Sequence, residues 1–308
     1  MRSKNIYGPY ERKKLIHSHG DNDMCPSQGG LVETESGAWY FLCHGMEETP
    51  ALSVGRPLAL LPIKWKNDWP IIGEDIDGDG IGEMVWQAAK PIKGFTPSIP
   101  QSSDDFSKPV LGPQWQWNHC PRNDSWSLSE KPSHLRLKAV KPAFPGGFYG
   151  ACNTLTQRII GDSSVATTVL DTTGMADGQY SGLCMMAEPS LLIGIYKESG
   201  KKIIRHQYTT IRKPMFGETP ESRRLYFEDF FCNDIGTFTG ERIWLRVTHK
   251  MNYAQVLYSI DGKHYEATCE ETKYSFFGWR GGRIGFFTWN DFKEQGYADF
   301  EFFDYNFE

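Results

Sequence analysis

Pro26-Ser-Gln-Gly-Gly-Leu-Val-Glu-Thr-Glu-Ser-Gly-Ala-Trp-Tyr-Phe-Leu42 is followed by Gly55-Arg-Pro57, by Leu60-Leu-Pro-Ile-Lys-Trp65 and by Trp69-Pro-Ile-Ile-Gly73. Two short apolar runs, Gly29–Val32 and Trp39–Cys43, flank Glu35-Ser-Gly37. Ser-Gly supplies the positive φ of a tight turn, so the pattern predicts a β-hairpin. A third run, Leu58–Trp65, follows after a loop and alternates loosely. Together they predict a small antiparallel sheet near the start of the chain.

Working outward, 308 residues suffice for two domains with a sizeable core. Aromatic residues make up 14 % of the chain and stand beside 31 Gly and 18 Pro, which favours many short strands joined by turns. No segment sustains a 3.6-residue apolar period long enough for a principal helix. A net charge of −5, spread along the chain, implies neither a nucleic-acid surface nor a polybasic membrane patch. No run of apolar residues is long enough to span a bilayer. Met1-Arg-Ser-Lys-Asn5 leads into no apolar core, so it does not read as a signal peptide, and the compartment stays open. Seven Cys form no Cys-x-x-Cys pair and read as reduced, buried thiols.

Three regions are expected: 1–73, a polar connector at 74–103, and a second domain at 104–308. The second domain reads as strands over Leu135–Val140, Thr154–Ile160, Val165–Leu170, Tyr180–Met186, Ser190–Lys197 and Lys202–Tyr208. Further strands are expected at Ile243–Met251, Ala254–Ile260, Gly282–Thr288 and Ala298–Tyr305. Turn signals such as Ala176-Asp-Gly178, Glu198-Ser-Gly200 and Asp261-Gly262 separate them at even spacing, the pattern of an all-β sandwich.

Leu111-Gly-Pro-Gln-Trp-Gln-Trp-Asn-His119, Asn153-Thr-Leu-Thr-Gln-Arg158, Met175-Ala-Asp-Gly178 and Ala298-Asp-Phe-Glu-Phe-Phe-Asp-Tyr305 occur in an order that resembles glycoside hydrolase family 43. Its members are β-xylosidases and α-L-arabinofuranosidases. The resemblance implies an all-β fold, with a partial five-bladed β-propeller remnant at 1–73 followed by a concanavalin A-like (jelly-roll) β-sandwich. The phrase Ile6-Tyr-Gly-Pro-Tyr-Glu11 sits between two blades in that family, so the chain is expected to enter the propeller part-way. Cys120 and Cys152 depart from the family's usual polar and basic residues.

The resemblance also implies inverting hydrolysis by two carboxyl groups about 6.5–9.5 Å apart, with a third raising the acid's pKa by like-charge proximity. In the family these come from earlier blades, and no position of this chain matches them. No catalytic residue is therefore assigned, and the chain alone is expected to be inactive. Arg56 matches the arginine that reaches sugar hydroxyls, a role suited to its fixed fork of donors. Gln28 stands where several relatives place a histidine near the propeller axis, and His44 lies close in sequence. Asp75-Ile-Asp77-Gly-Asp79-Gly80 mimics the first half of an EF-hand loop, but Trp86 stands where the bidentate Glu belongs. Calcium would need a further oxygen donor from elsewhere.

Trp115, Trp117, Trp126, Trp279 and Trp289 admit two readings, as core anchors or as platforms for sugar rings. Trp279, in a glycine-flanked loop, is the one expected to line a substrate site. Asp291 and Glu294 read as surface charges. The expected partners are plant cell-wall pentose oligosaccharides, with self-association through an open propeller edge. The alternative is a noncatalytic carbohydrate-binding or interface module.

Overall fold

The computed structural model describes residues 1–17, 27–44, 58–85, 87–96, 102–143, 147–212, 227–275 and 281–308. Among the described residues every regular element is a strand. The chain divides into two compact units, one formed by Met1–Thr49 and Arg56–Ser98, the other by Pro50–Gly55 and Ile99–Glu308.

In the first unit β1 is Ile16–His17, β2 Ser27–Glu33, β3 Trp39–His44, β4 Leu58–Lys66, β5 Trp69–Ile72 and β6 Gly82–Glu83. Strands β2-β3-β4-β5 form one antiparallel meander in chain order, the form of a propeller blade. Gly37 turns the first hairpin at φ +80°, and its N–H donates to the Thr34 carbonyl at 2.9 Å. Cys43, Leu61, Ile63 and Ile72 make the small core on one face. The opposite face exposes Val32, Leu42, Leu58 and Leu60. The first part of the expected connector is tied to this unit. Strand β6 pairs with β1, and the Glu74 and Glu83 backbones exchange two hydrogen bonds.

The second unit is a sandwich of two sheets. One sheet contains β7 (Gln116–Trp117), β10 (Asn153–Arg158), β12 (Gln179–Met186), β13 (Ser190–Glu198), β14 (Lys201–Arg212), β15 (Phe227–Phe238) and β20 (Arg283–Asn290). Its spatial order is β15-β14-β13-β12-β20-β10-β7. The other contains β8 (Trp126–Ser127), β9 (Leu135–Lys138), β11 (Ser163–Asp171), β16 (Arg242–Lys250), β17 (Tyr253–Ser259), β18 (Glu266–Ala267), β19 (Thr272–Lys273), β21 (Tyr297–Phe300) and β22 (Asp304–Phe307). Its main path runs β18-β17-β16-β11-β21-β9-β8.

The burial patterns explain how these strands read in sequence. In β16 the residues alternate, with Ile243, Leu245 and Val247 inward and Trp244, Arg246 and Thr248 outward. One face of that sheet meets solvent. Strands β12, β13 and β20 are buried at nearly every position, because the seven-stranded sheet has an apolar cluster on each side. Leu183, Leu191, Ile193 and Phe286 face the inter-sheet core. Tyr180, Leu192, Phe287 and Trp289 join Phe148 and Tyr149 on the other face. A sheet covered on both faces loses the period-two signature and reads as a continuous apolar run. Phe286 is the hub of the inter-sheet core, with ring centroids 4.5 Å from Phe300, 5.4 Å from Trp115 and 5.9 Å from Phe106.

The second unit departs from the expected strands in several places, including the short β7, β8, β18 and β19. The run Ala298–Tyr305 is two strands, β21 and β22, both pairing with β11. Strand β15 was not anticipated. The six described cysteines are free, but only Cys43 and Cys184 are buried: Cys152, Cys232 and Cys269 are half-buried and Cys120 is exposed.

His206 and His249 are buried, and desolvation pushes both imidazole pKa values down. The unfolded chain, with His near 6.5, therefore binds more protons below that pH than the folded chain does. This contribution to stability is complete above about pH 6.5 and is lost as the pH falls below it. The urea midpoint should drop between pH 7 and 5, and His206→Gln should flatten that slope. His264 acts with the opposite sign, since Asp261 raises its pKa, but it is fully exposed.

Candidate functional site

Two of the residues that the sequence singles out in the first unit, Gln28 and His44, meet at a break in β2. Register between β2 and β3 shifts between Ser27 and Gly30, and Gln28 adopts φ 52°. Gly29 makes this possible, because a Cβ there would lie 2.3 Å from the Phe41 ring and 2.7 Å from the Leu42 carbonyl oxygen. The irregularity brings the exposed Gln28 to the buried His44, whose Nε2 lies 3.0 Å from Gln28 Oε1. An amide oxygen can only accept, so in this contact His44 Nε2 is the donor. Sequence reasoning placed both residues close in the chain but missed the bulge that joins them. Arg56 and Trp279 lie outside the described residues.

The acidic turn is organised by its own backbone. Asp75 Oδ1 accepts from the Gly80 N–H at 3.2 Å, Asp77 Oδ1 from Asp79 N–H at 3.1 Å, and Asp79 Oδ1 from Ile81 N–H at 2.7 Å. Gly78 and Gly80 take φ +81° and +80°. The other Asp79 oxygen bonds His17 Nε2 at 2.9 Å, which holds the Asp79 carboxyl below its ordinary range. Lys14 Nζ lies 3.0 Å from His17 Nδ1. His17, Asp77 and Asp79 bring donor atoms within 4.8 Å of one another, and Asp75 is not in that group. His17 was missed because it stands 62 residues from Asp79. Calcium takes six to eight oxygens, whereas this set offers two carboxylates and an imidazole facing a lysine. These three side chains alone fall short of that number of oxygens.

Of the described tryptophans that the sequence singles out, Trp115 and Trp289 are core anchors, and Trp117 and Trp126 pack half-buried against the core. Trp115 and Trp289 are buried, Trp115 Nε1 donates to Asp104 Oδ2 at 2.8 Å, and Trp117 stacks against Trp126 at 5.5 Å. Asp291 and Glu294 do not form a pair with each other: Asp291 accepts from Trp289 Nε1 at 3.0 Å, and Glu294 accepts from Arg122 Nη1 at 2.8 Å. Burial raises the Asp291 pKa. Asp171 and Asp299 share Lys131. Each of these carboxylates already has a hydrogen-bond donor.

Comparison with known proteins agrees with this architecture. Residues 103–306 match the family of β-xylosidase C-terminal concanavalin A-like domains. A β-xylosidase of Formosa agariphila is 34% identical over 100% of this chain and 52% of its own length. A putative β-xylosidase of Xylanibacter ruminicola is 33% identical over 94% of this chain and 49% of its own length. The chain thus spans about half the length of the curated relatives it matches. A solved structure, a bifunctional GH43-CE protein of Bacteroides eggerthii, superposes with a TM-score of 0.72 at 26% identity, covering 99% of this chain and 36% of that one. Sandwich, blade and sequence all converge on one assignment: the chain belongs to glycoside hydrolase family 43, with that family's concanavalin A-like domain at residues 103–306.

Proposed function

We propose that this chain is the C-terminal portion of a glycosidase of the β-xylosidase and α-L-arabinofuranosidase type, acting on xylan or arabinan side chains and oligosaccharides. The observation that carries the reading is the 34% identity to a β-xylosidase along the whole chain but over only 52% of that relative. An α-L-arabinofuranosidase of Bacteroides ovatus also matches, at 30% identity over 46% of this chain.

Hydrolysis with inversion needs one carboxyl poised as acid and one as base across a gap that admits water. Asp171, Asp299 and Glu294 are each ion-paired with a lysine or arginine, and none of them matches a catalytic carboxylate of the family. The chain by itself is therefore inactive in this reading. Its part is to supply one blade with the Gln28–His44 contact, Arg56 for sugar hydroxyls, and the sandwich.

The test is hydrolysis of aryl β-xyloside and aryl α-arabinofuranoside by the purified chain. No release of the aryl alcohol above buffer is expected. Turnover that persists through purification and saturates with substrate would overturn the assignment of no catalytic residue.

A further inference from the structure

The outer face of the nine-stranded sheet carries a groove of about 600 Å³ across β17, β16, β11 and β22. Its floor follows from the ladder register. Gln255 pairs with Thr248, Thr248 with Val165, and Val165 with Asn306, so these four side chains form one row on one face. Their strand neighbours Ala254, Val247, Ala166 and Tyr305 belong to the core on the other face. A second row begins with Tyr253, Lys250 and Ser163. Adjacent positions in a row are about 4.8 Å apart, and the two rows about 7 Å.

The chemistry of this floor is particular. Its central row is uncharged, with two amides and a hydroxyl around the apolar Val165. Gln255 Nε2 donates to the Cys269 carbonyl at 2.7 Å, which fixes the amide plane and leaves Oε1 as an acceptor. Asn306 Nδ2 donates to Asp304 Oδ1 at 3.1 Å, which holds that amide in the same way. Exposed apolar surface lies in the same groove: Val165 and Tyr253 are 36% and 43% exposed. Fixed amides beside an exposed aromatic ring match a ligand with hydroxyl edges and apolar faces. Of the charged residues along the groove, Lys250 is basic and Glu271 and Glu308 are acidic, a balance that disfavours an anionic ligand.

We propose that this groove is a noncatalytic subsite for a neutral xylo-oligosaccharide, lying across the strands with a sugar ring against Tyr253. The hydroxyl-bearing class follows from the groove. The choice of a pentose glycan rests on the proposed family function.

Calorimetry of the full chain with xylohexaose tests it, beside cellohexaose and the variants Tyr253→Ala, Thr248→Val and, as a remote control, Val110→Ala. Thr248→Val keeps the shape and removes only the hydroxyl, so a loss in that variant does not come from unfolding. Xylohexaose should bind, weakening about tenfold or more in Tyr253→Ala and several-fold in Thr248→Val, on the order of 1 kcal/mol each, with Val110→Ala unchanged. No heat with xylohexaose, or binding that both groove variants leave intact, overturns the proposal. So does binding of cellohexaose alone. Turnover of aryl glycosides by the chain would instead overturn the inactive-portion reading and leave the groove standing.

Discussion

Phe286→Ala is expected to lower the stability of the sandwich by about 3–5 kcal/mol. The ring is fully buried and touches Phe106, Trp115, Phe300 and Phe303. Phe300 lies in the facing sheet, Phe303 between β21 and β22, and Phe106 and Trp115 in the segment before β7. Asp104 and Phe303 exchange two backbone hydrogen bonds, and Trp115 is held through its indole N–H, so the wall cannot easily collapse into the space. Residual cavity volume adds to the lost transfer energy. Phe286→Leu keeps most of the volume and should cost roughly half as much. Urea unfolding followed by tryptophan fluorescence reads both. A loss below about 1.5 kcal/mol in the alanine variant would show that the core does not hinge on this ring.

Asp299→Ala, which removes a buried charge, is expected to cost about 2–3 kcal/mol. Its carboxylate is 2% exposed and accepts from Arg136 Nε at 2.7 Å and Nη2 at 2.8 Å. Lys131 Nζ stands 3.5 Å away, and the Arg136 guanidinium lies 3.8 Å from the Tyr297 ring centroid. Removing the carboxylate strands a stacked, largely desolvated cation, and stranding one partner costs more than deleting the pair. The value stays below the top of the usual range because Glu130 Oε2 remains 3.3 Å from Arg136. Arg136→Met on the Asp299→Ala background should recover part of the loss, measurable as a double-mutant cycle.

Much of the sandwich was legible because turn chemistry marks strand ends. Ser199 and Gly200, at φ 50° and 76°, make the two-residue turn that Glu198-Ser-Gly200 announces, and β13 and β14 pair directly across it. Strand β15 was illegible for the opposite reason. Glu228, Asp229, Asn233, Asp234 and Gly236 are poor strand formers, and the ladder to β14 is irregular near Ile204 and Arg205. It sits at the edge of its sheet, where propensity yields to pairing along β14. The candidate site was harder to read. A bulge set by Gly29 and a contact between His17 and Asp79 depend on backbone geometry and long-range packing, and neither leaves a periodic trace. The tryptophans looked alike in sequence, and only their inward register makes Trp115 and Trp289 structural.

The order β12-β20-β10 in the seven-stranded sheet also bears on how the sandwich forms. Strands β12 to β15 follow one another, and their pairings are local hairpins. Strand β20 must arrive from about a hundred residues downstream and insert between β12 and β10, which makes closure of the core a late, non-local event. During synthesis, Leu183, Leu191 and Ile193 are made well before Phe286 and its flanking strand can cover them. That interval exposes sticky surface on a growing chain, and in a cell it is a window in which chaperone binding would compete with aggregation.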